Sequence, residues 1–150
     1  MNNISKCRIS NSANLTEILN LGKQPLANSL LDTDKDLSDF FSLSVSFCPD
    51  SKLLQLNETI EKEILFNNYA WITGTSKTAI NYANVFAEQV INQFNLNRED
   101  LIVEIASNDG TFLKSFNNKG YSNTLGVDPA QNIANLANDN GIKTLPIFWN

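Results

Sequence analysis

From Leu101 to Phe148 the chain alternates between short apolar runs and segments of helical spacing, and this alternation restricts the fold more than any other feature of the sequence. Leu101-Ile102-Val103-Glu104-Ile105-Ala106 reads as a buried strand, followed by a turn at Ser107-Asn108-Asp109-Gly110. Thr111–Asn118 suits a short helix ended by Gly120, Thr124-Leu125-Gly126-Val127 a second strand, Pro129–Asn140 a helix ended by Gly141, and Lys143–Phe148 a third strand. Strands joined through helices must run parallel, because each helix carries the chain back to the end at which the next strand begins. The order predicts the mononucleotide-binding half of a doubly wound α/β fold.

Upstream, Ile80, Ala83, Ala87, Val90, Ile91 and Phe94 fall at helical spacing, which predicts a helix over Lys77–Phe94 with Thr75 or Ser76 as its N-cap. Residues 1–57 break into shorter pieces. These are Leu15–Leu19 closed by Gly22, an extended stretch over Gln24–Asn28, an acidic loop Asp32–Asp39, and a run in which Phe41, Leu43, Val45 and Phe47 alternate. A period of two predicts a half-buried strand, here leading into Cys48-Pro49-Asp50-Ser51. We therefore divide the chain into a small module over 1–57, an aromatic linker and connecting helix over 58–98, and the α/β unit over 99–150.

Composition removes several function classes. The net charge of −5 is spread without a Lys/Arg cluster, so nothing favours nucleic acid or an anionic membrane. No apolar run is long enough for a signal segment or a membrane span, and the default compartment is cytoplasmic. Two cysteines are too few for a secreted disulfide scaffold, and the absence of histidine removes the commonest general base and zinc ligand.

Glu104-Ile105-Ala106-Ser107-Asn108-Asp109-Gly110 is a strand end that turns through a small loop into a helix, a geometry that offers main-chain N–H groups to a cofactor. Asp128 ends the next strand, near the ~20-residue offset at which a carboxylate receives ribose hydroxyls. The structural alternative is a tight βα turn with a surface aspartate. Between cofactors, Asp109 would repel a pyrophosphate but tolerate a sulfonium cation, which favours S-adenosylmethionine over NAD.

Five segments in order carry a resemblance: Pro25-Leu26-Ala27-Asn28-Ser29, Cys48 through Leu56, Tyr69 through Ser76, Glu104 through Gly110, and Gly126-Val127-Asp128-Pro129-Ala130. The chain resembles, along its whole length, the bacterial sugar-nucleotide C-methyltransferases, which methylate a ring carbon of a nucleotide-activated deoxyketosugar. The resemblance implies an N-terminal zinc-binding module and a Rossmann-like methyltransferase sheet, of which this chain would hold the first half and so be truncated, with a C-terminal sugar-nucleotide domain beyond it. It also implies that Glu104, Ala106, Ser107, Asn108, Asp109, Gly110 and Asp128 contact S-adenosylmethionine. Tyr69, Trp71 and Ser76 would lie near the substrate entrance, Tyr69 being the one candidate base beside the ketone; the alternative for the two aromatics is interdomain packing.

Two departures from the family follow. The family's paired C-x-x-C motifs are here Cys7-Arg8-Ile9-Ser10 and Cys48-Pro49-Asp50-Ser51, so the metal positions Cys7, Ser10, Cys48 and Ser51 are degenerate, which argues against zinc. As former ligands of one metal, Cys7 and Cys48 should lie close together. A chain holding half of a sheet also predicts a fragment inactive alone, or a non-catalytic module that pairs with a second chain supplying the missing strands.

Overall fold

The computed structural model describes residues 2–31, 33 and 39–149. The acidic loop expected over Asp32–Asp39 falls, apart from Thr33 and Asp39, outside the described residues. The chain divides into two compact units, Met1–Leu65 and Phe66–Asn150.

In the first unit, β1 (Asn2–Asn3) pairs antiparallel with β5 (Glu58–Thr59), and β2 (Thr16–Pro25), β3 (Phe40–Cys48) and β4 (Leu53–Leu56) form an antiparallel sheet with β3 central. The short helix α1 (Lys62–Phe66) follows. The two pieces expected between Leu15 and Asn28 are joined in β2, whose register shifts after Glu17 and after Asn20. Gly22, at φ 66°, does not close a segment but lies in the second shift, where extra residues must be absorbed without breaking the strand.

The period-two strand forms as expected, but its fully buried face is the other one. Ser44, Ser46 and Cys48 are buried, whereas Phe41, Leu43, Val45 and Phe47 are only half covered. The small face lets main chain approach. Gln55, opposite Ser46, accepts a bond from Arg8 N (3.0 Å) and donates to Lys6 O (3.1 Å), while Asn57 Nδ2 donates to Ser44 Oγ (2.8 Å). Polar satisfaction, rather than apolar bulk, sets which face closes.

The second unit holds a 3₁₀ turn (Thr73–Thr75), α2 (Lys77–Phe94), β6 (Ile102–Ile105), α3 (Thr111–Asn118), β7 (Thr124–Val127), α4 (Gln131–Asp139) and β8 (Thr144–Leu145). The strands form a parallel sheet in the order β6-β7-β8. Of the two cap candidates Ser76 is the one used, its Oγ accepting from Ala79 N, and Asn95 ends α2 in the left-handed conformation. The core is carried by Ala87, Phe116 and Tyr121 on one side and Leu113, Ala137 and Ile142 on the other, with Ile102 of β6 against both. Among the described residues no helix is long and apolar enough to cross a membrane.

Three expectations are corrected here. The third strand is two residues long instead of Lys143–Phe148, because Pro146 has no N–H to continue the ladder. Helix α4 begins at Gln131, not Pro129, since Ala130 is extended and gives its N–H to Asp128 Oδ1 (2.9 Å). The strand at 101–106 is not buried on both faces. Ile102 and Glu104 turn toward the helices, whereas Leu101, Val103 and Ile105 are exposed, Ile105 by 53%. Residues of α2, α3 and α4 pack on the side of Ile102, and the alternate residues are left more open to solvent.

Gly110 illustrates how tightly this unit is packed. Its φ is +76°, and a Cβ there would stand 2.6 Å from Ile142 Cγ2. Gly141 has a similar φ of +80° with nothing within 4 Å. Gly110→Ala should therefore destabilise by about 2–4 kcal/mol and Gly141→Ala by about 1 kcal/mol, the difference being the overlap with Ile142. Equal losses in urea denaturation would refute the packing role.

Candidate functional site

The carboxyl ends of β6 and β7 gather most of the residues singled out in the sequence. Ala106 and Asn108 adopt left-handed conformations, φ 57° and 50°, which turn the chain sharply between β6 and α3. Asp128, at the end of β7, is only 7% exposed. Its Oδ2 accepts from Asn108 N and its Oδ1 from Ala130 N, both at 2.9 Å, so one carboxylate ties the turn after β6 to the turn after β7.

Asn108 and Asp109 also act backward along the chain. Asn108 accepts from Thr73 N (2.8 Å) and donates to Trp71 O (3.0 Å), and Asp109 Oδ2 accepts from Gly74 N (3.0 Å). Asp109 Oδ1 meanwhile accepts from the Thr111 hydroxyl (2.7 Å), securing the start of α3. In the first turn of α4, Asn132 clamps both main-chain groups of Tyr69 (3.1 and 2.9 Å), and Gln131 N donates to Asn67 O. The segment Asn67–Gly74 is thus strapped to the loop after β6 and to the start of α4. Ser76 serves as helix cap, Trp71 is 57% exposed, and Tyr69 is half-buried with its ring 6.4 Å from that of Phe66.

Two polar atoms at these strand ends are left over. Glu104 Oε2 and Ser107 Oγ are buried without a hydrogen-bond partner. Burial pushes the Glu104 carboxyl up to about 7; a main-chain bond at Leu113 pulls the other way, and the charges of Asp109 and Asp128 push it further up. Gly126 keeps this space narrow, since a Cβ there would stand 2.5 Å from Ser107 Oγ and 2.6 Å from Thr144 Oγ1. A buried polar atom without a partner is costly and rare in a folded protein. Two together, one of them on a carboxyl and near the carboxylates of Asp109 and Asp128, suit a ligand that brings donors and positive charge. S-adenosylmethionine, with an ammonium, a sulfonium and ribose hydroxyls, fits that donor set.

A cleft of about 460 Å³ opens between α2, α3 and α4, lined by Ile80, Asn84, Lys114 and Leu136. Of the residues expected to touch a cofactor only Asp109 lines it, so it lies behind the strand-end site rather than in it.

In the first unit the four degenerate metal positions come together. Cys7 Sγ lies 3.1 Å from Ser51 Oγ, and Cys48 Sγ 3.5 Å from Ser10 Oγ. Hydrogen bonds from the Ser10 and Ser51 side chains lower the Cys7 thiol to about 6. Two sulfurs and two neutral hydroxyls do not fit a structural zinc site, which takes four ligands drawn from thiolate, imidazole and carboxylate. Among the described residues, no group of three or more His, Cys, Asp and Glu is placed to hold a metal.

A parallel βαβαβ unit with an unsatisfied polar site at its strand ends, preceded in the chain by a small antiparallel module with paired Cys-x-x-Ser turns, defines an α/β unit following a degenerate zinc-type module. A sequence family described as "Putative zinc binding domain" matches residues 7–66. Over 145 residues, 95% of this chain, the sequence is 32% identical to the C-methyltransferase NovU of Streptomyces niveus, and it spans 34% of that protein's length. The chain is thus similar over nearly its whole length to about a third of a C-methyltransferase, in keeping with the family that its motifs resemble.

Asn132 is a site residue that sequence reasoning missed, and Thr73 and Gly74 lie in the Tyr69–Ser76 motif without a role that sequence reasoning assigns. No periodic pattern marks them, because each acts through a main-chain contact to a residue 35 or 63 positions away.

Proposed function

We propose that this segment carries one side of the S-adenosylmethionine site of a C-methyltransferase whose acceptor is a nucleotide-activated deoxysugar. In this reading the βαβαβ unit is the first half of a Rossmann-like sheet, and the three-part division at 57 and 98 separates module, linker and cofactor domain. The observation that carries it is the pair of buried, unpartnered atoms, Glu104 Oε2 and Ser107 Oγ, at the strand ends. The similarity to a protein named C-methyltransferase points the same way.

When bound, S-adenosylmethionine supplies an electrophilic methyl group. The chain's own part is to hold it. The main chain of Ala106–Gly110 shapes the cradle, while Glu104 and Ser107 offer hydrogen-bonding atoms. Asp128 keeps the two loops in register and retains lone pairs for ribose hydroxyls. Asn108 and Asp109, whose side chains hold the strap, contribute through their main chain and charge. Tyr69, fixed at its backbone by Asn132, is the residue proposed to face the acceptor and take the proton beside its ketone.

Isothermal titration of this chain with S-adenosylmethionine tests the site. Weak binding is expected, with a Kd above about 10 μM, because one side of a pocket leaves much of the ligand in water. A cation placed beside Glu104 lowers its pKa, so binding near pH 6.5 should release protons, seen as a dependence of the heat on buffer. Ser107→Ala removes an unpaired atom without touching a structural bond, and should weaken binding about tenfold. No heat at millimolar ligand, or an unchanged affinity in Ser107→Ala, would overturn the assignment.

A second reading, a non-catalytic module completed by another chain, is favoured by one observation, the exposed apolar face made by Val103 and Ile105 on β6 and by Leu101 just before it. Co-expression with a chain carrying the remaining strands should then give a stable one-to-one complex; recovery of separate chains would exclude it.

A further inference from the structure

We propose that Cys7, Ser10, Cys48 and Ser51 form a metal-free clasp, a zinc cage in shape in which hydroxyl–sulfur hydrogen bonds have replaced the metal. The cage geometry is shown by the two turns that carry it. Cys7-Arg8-Ile9-Ser10 and Cys48-Pro49-Asp50-Ser51 have the same spacing, and each is followed at once by a residue in the left-handed conformation, Asn11 at φ 58° and Lys52 at φ 61°. The two turns thus share their spacing and the left-handed residue that follows, and their side chains meet across the gap between them.

The contacts cross between the turns. Cys7 meets Ser51 at 3.1 Å and Cys48 meets Ser10 at 3.5 Å, so each sulfur is answered by the hydroxyl of the opposite turn. Separations of 3.1 and 3.5 Å are those of hydrogen bonds between hydroxyl and sulfur, made directly across the two turns. Further bonds hold each turn without metal: Ser10 N donates to Cys7 Sγ (3.4 Å), Asn11 N to Cys7 O (3.0 Å), and the Ser12 hydroxyl to Asp50 Oδ2 (2.5 Å), the last again crossing between turns. Both cysteines are buried, Cys48 completely, so the clasp sits where a structural ion would have held the module together. Folding of this module is accordingly independent of zinc, although its sequence family is described by zinc binding.

The test uses the full chain purified from zinc-replete medium. The native protein should retain far less than one zinc per chain after dialysis, and EDTA should leave its melting midpoint unchanged. Ser10→Cys/Ser51→Cys, which restores four thiols on an existing cage, should take up about one zinc per chain, show the absorption of tetrahedral cobalt thiolate after exchange, and lose thermal stability on chelation. Ser51→Ala should lower the native midpoint by roughly 3–5 °C without any metal effect. About one zinc retained by the native chain would overturn the proposal. So would a folded double variant that takes up no metal, or a Ser51→Ala midpoint equal to the native one.

Discussion

Asp128→Ala is expected to destabilise the Phe66–Asn150 unit by about 3 kcal/mol, the largest loss foreseen for a single side chain outside the packed glycines. The buried carboxylate accepts one main-chain bond from each of two loops, Asn108 N and Ala130 N. Bonds to a charged acceptor contribute roughly 1.5–3 kcal/mol each, and alanine leaves both donors without a partner. Part of that loss is offset, because removing Asp128 also relieves its repulsion of Glu104. Asp128→Asn, which keeps one acceptor oxygen, should fall between. Both tryptophans, Trp71 and Trp149, lie in this unit, so urea denaturation followed by their fluorescence reads it directly. A loss below about 1 kcal/mol for the alanine variant would mean that the two loops hold together without the carboxylate.

The stability of the same unit should fall as pH rises from about 4.5 to about 7 through the single group Glu104. Its carboxyl has a folded-state pKa near 7 against an ordinary value of 4.5, so the folded state binds the proton more tightly than the unfolded state. Stabilisation from this group is complete below 4.5, declines through the interval, and is gone above 7. A shift of that size corresponds to about 3 kcal/mol, an upper value because the group retains some access to water. Glu104→Gln keeps the shape, carries no charge and should flatten the decline, leaving the variant more stable than the native chain at pH 7.5. A native profile that is already flat between pH 4.5 and 7, or a variant with the same slope, would show that Glu104 is solvated or paired.

The legible parts of this protein are those with a local or periodic signature. Helix α2 was readable to its last residue, because Ser76 caps its start and Asn95 can take the left-handed turn that ends it. The parallel order of β6, β7 and β8 follows from strand–helix alternation, and the loop from Ala106 to Gly110 from its small residues. Pattern fails where one residue overrules it. Pro146 cuts short an otherwise apolar strand, and Asp128 draws Ala130 out of the helix whose start Pro129 signals.

The sequence by itself determined helix α2, the strand–helix alternation after Leu101, the loop chemistry and the Cys-x-x-Ser spacing of the two turns, since each depends on residues close together in the chain or on the identity of one side chain. Only the tertiary structure decided that Ser44, Ser46 and Cys48, rather than the larger apolar residues, make the closed face of β3. It alone strapped Asn67–Gly74 to the loop after β6 and to the start of α4 through Asn108, Asp109 and Asn132, left Glu104 Oε2 and Ser107 Oγ without partners, and brought Cys7 to Ser51. Each of these depends on polar atoms being paired or orphaned by residues distant in sequence. Hydrogen-bond satisfaction is a property of three-dimensional surroundings, and hydrophobic periodicity carries no record of it.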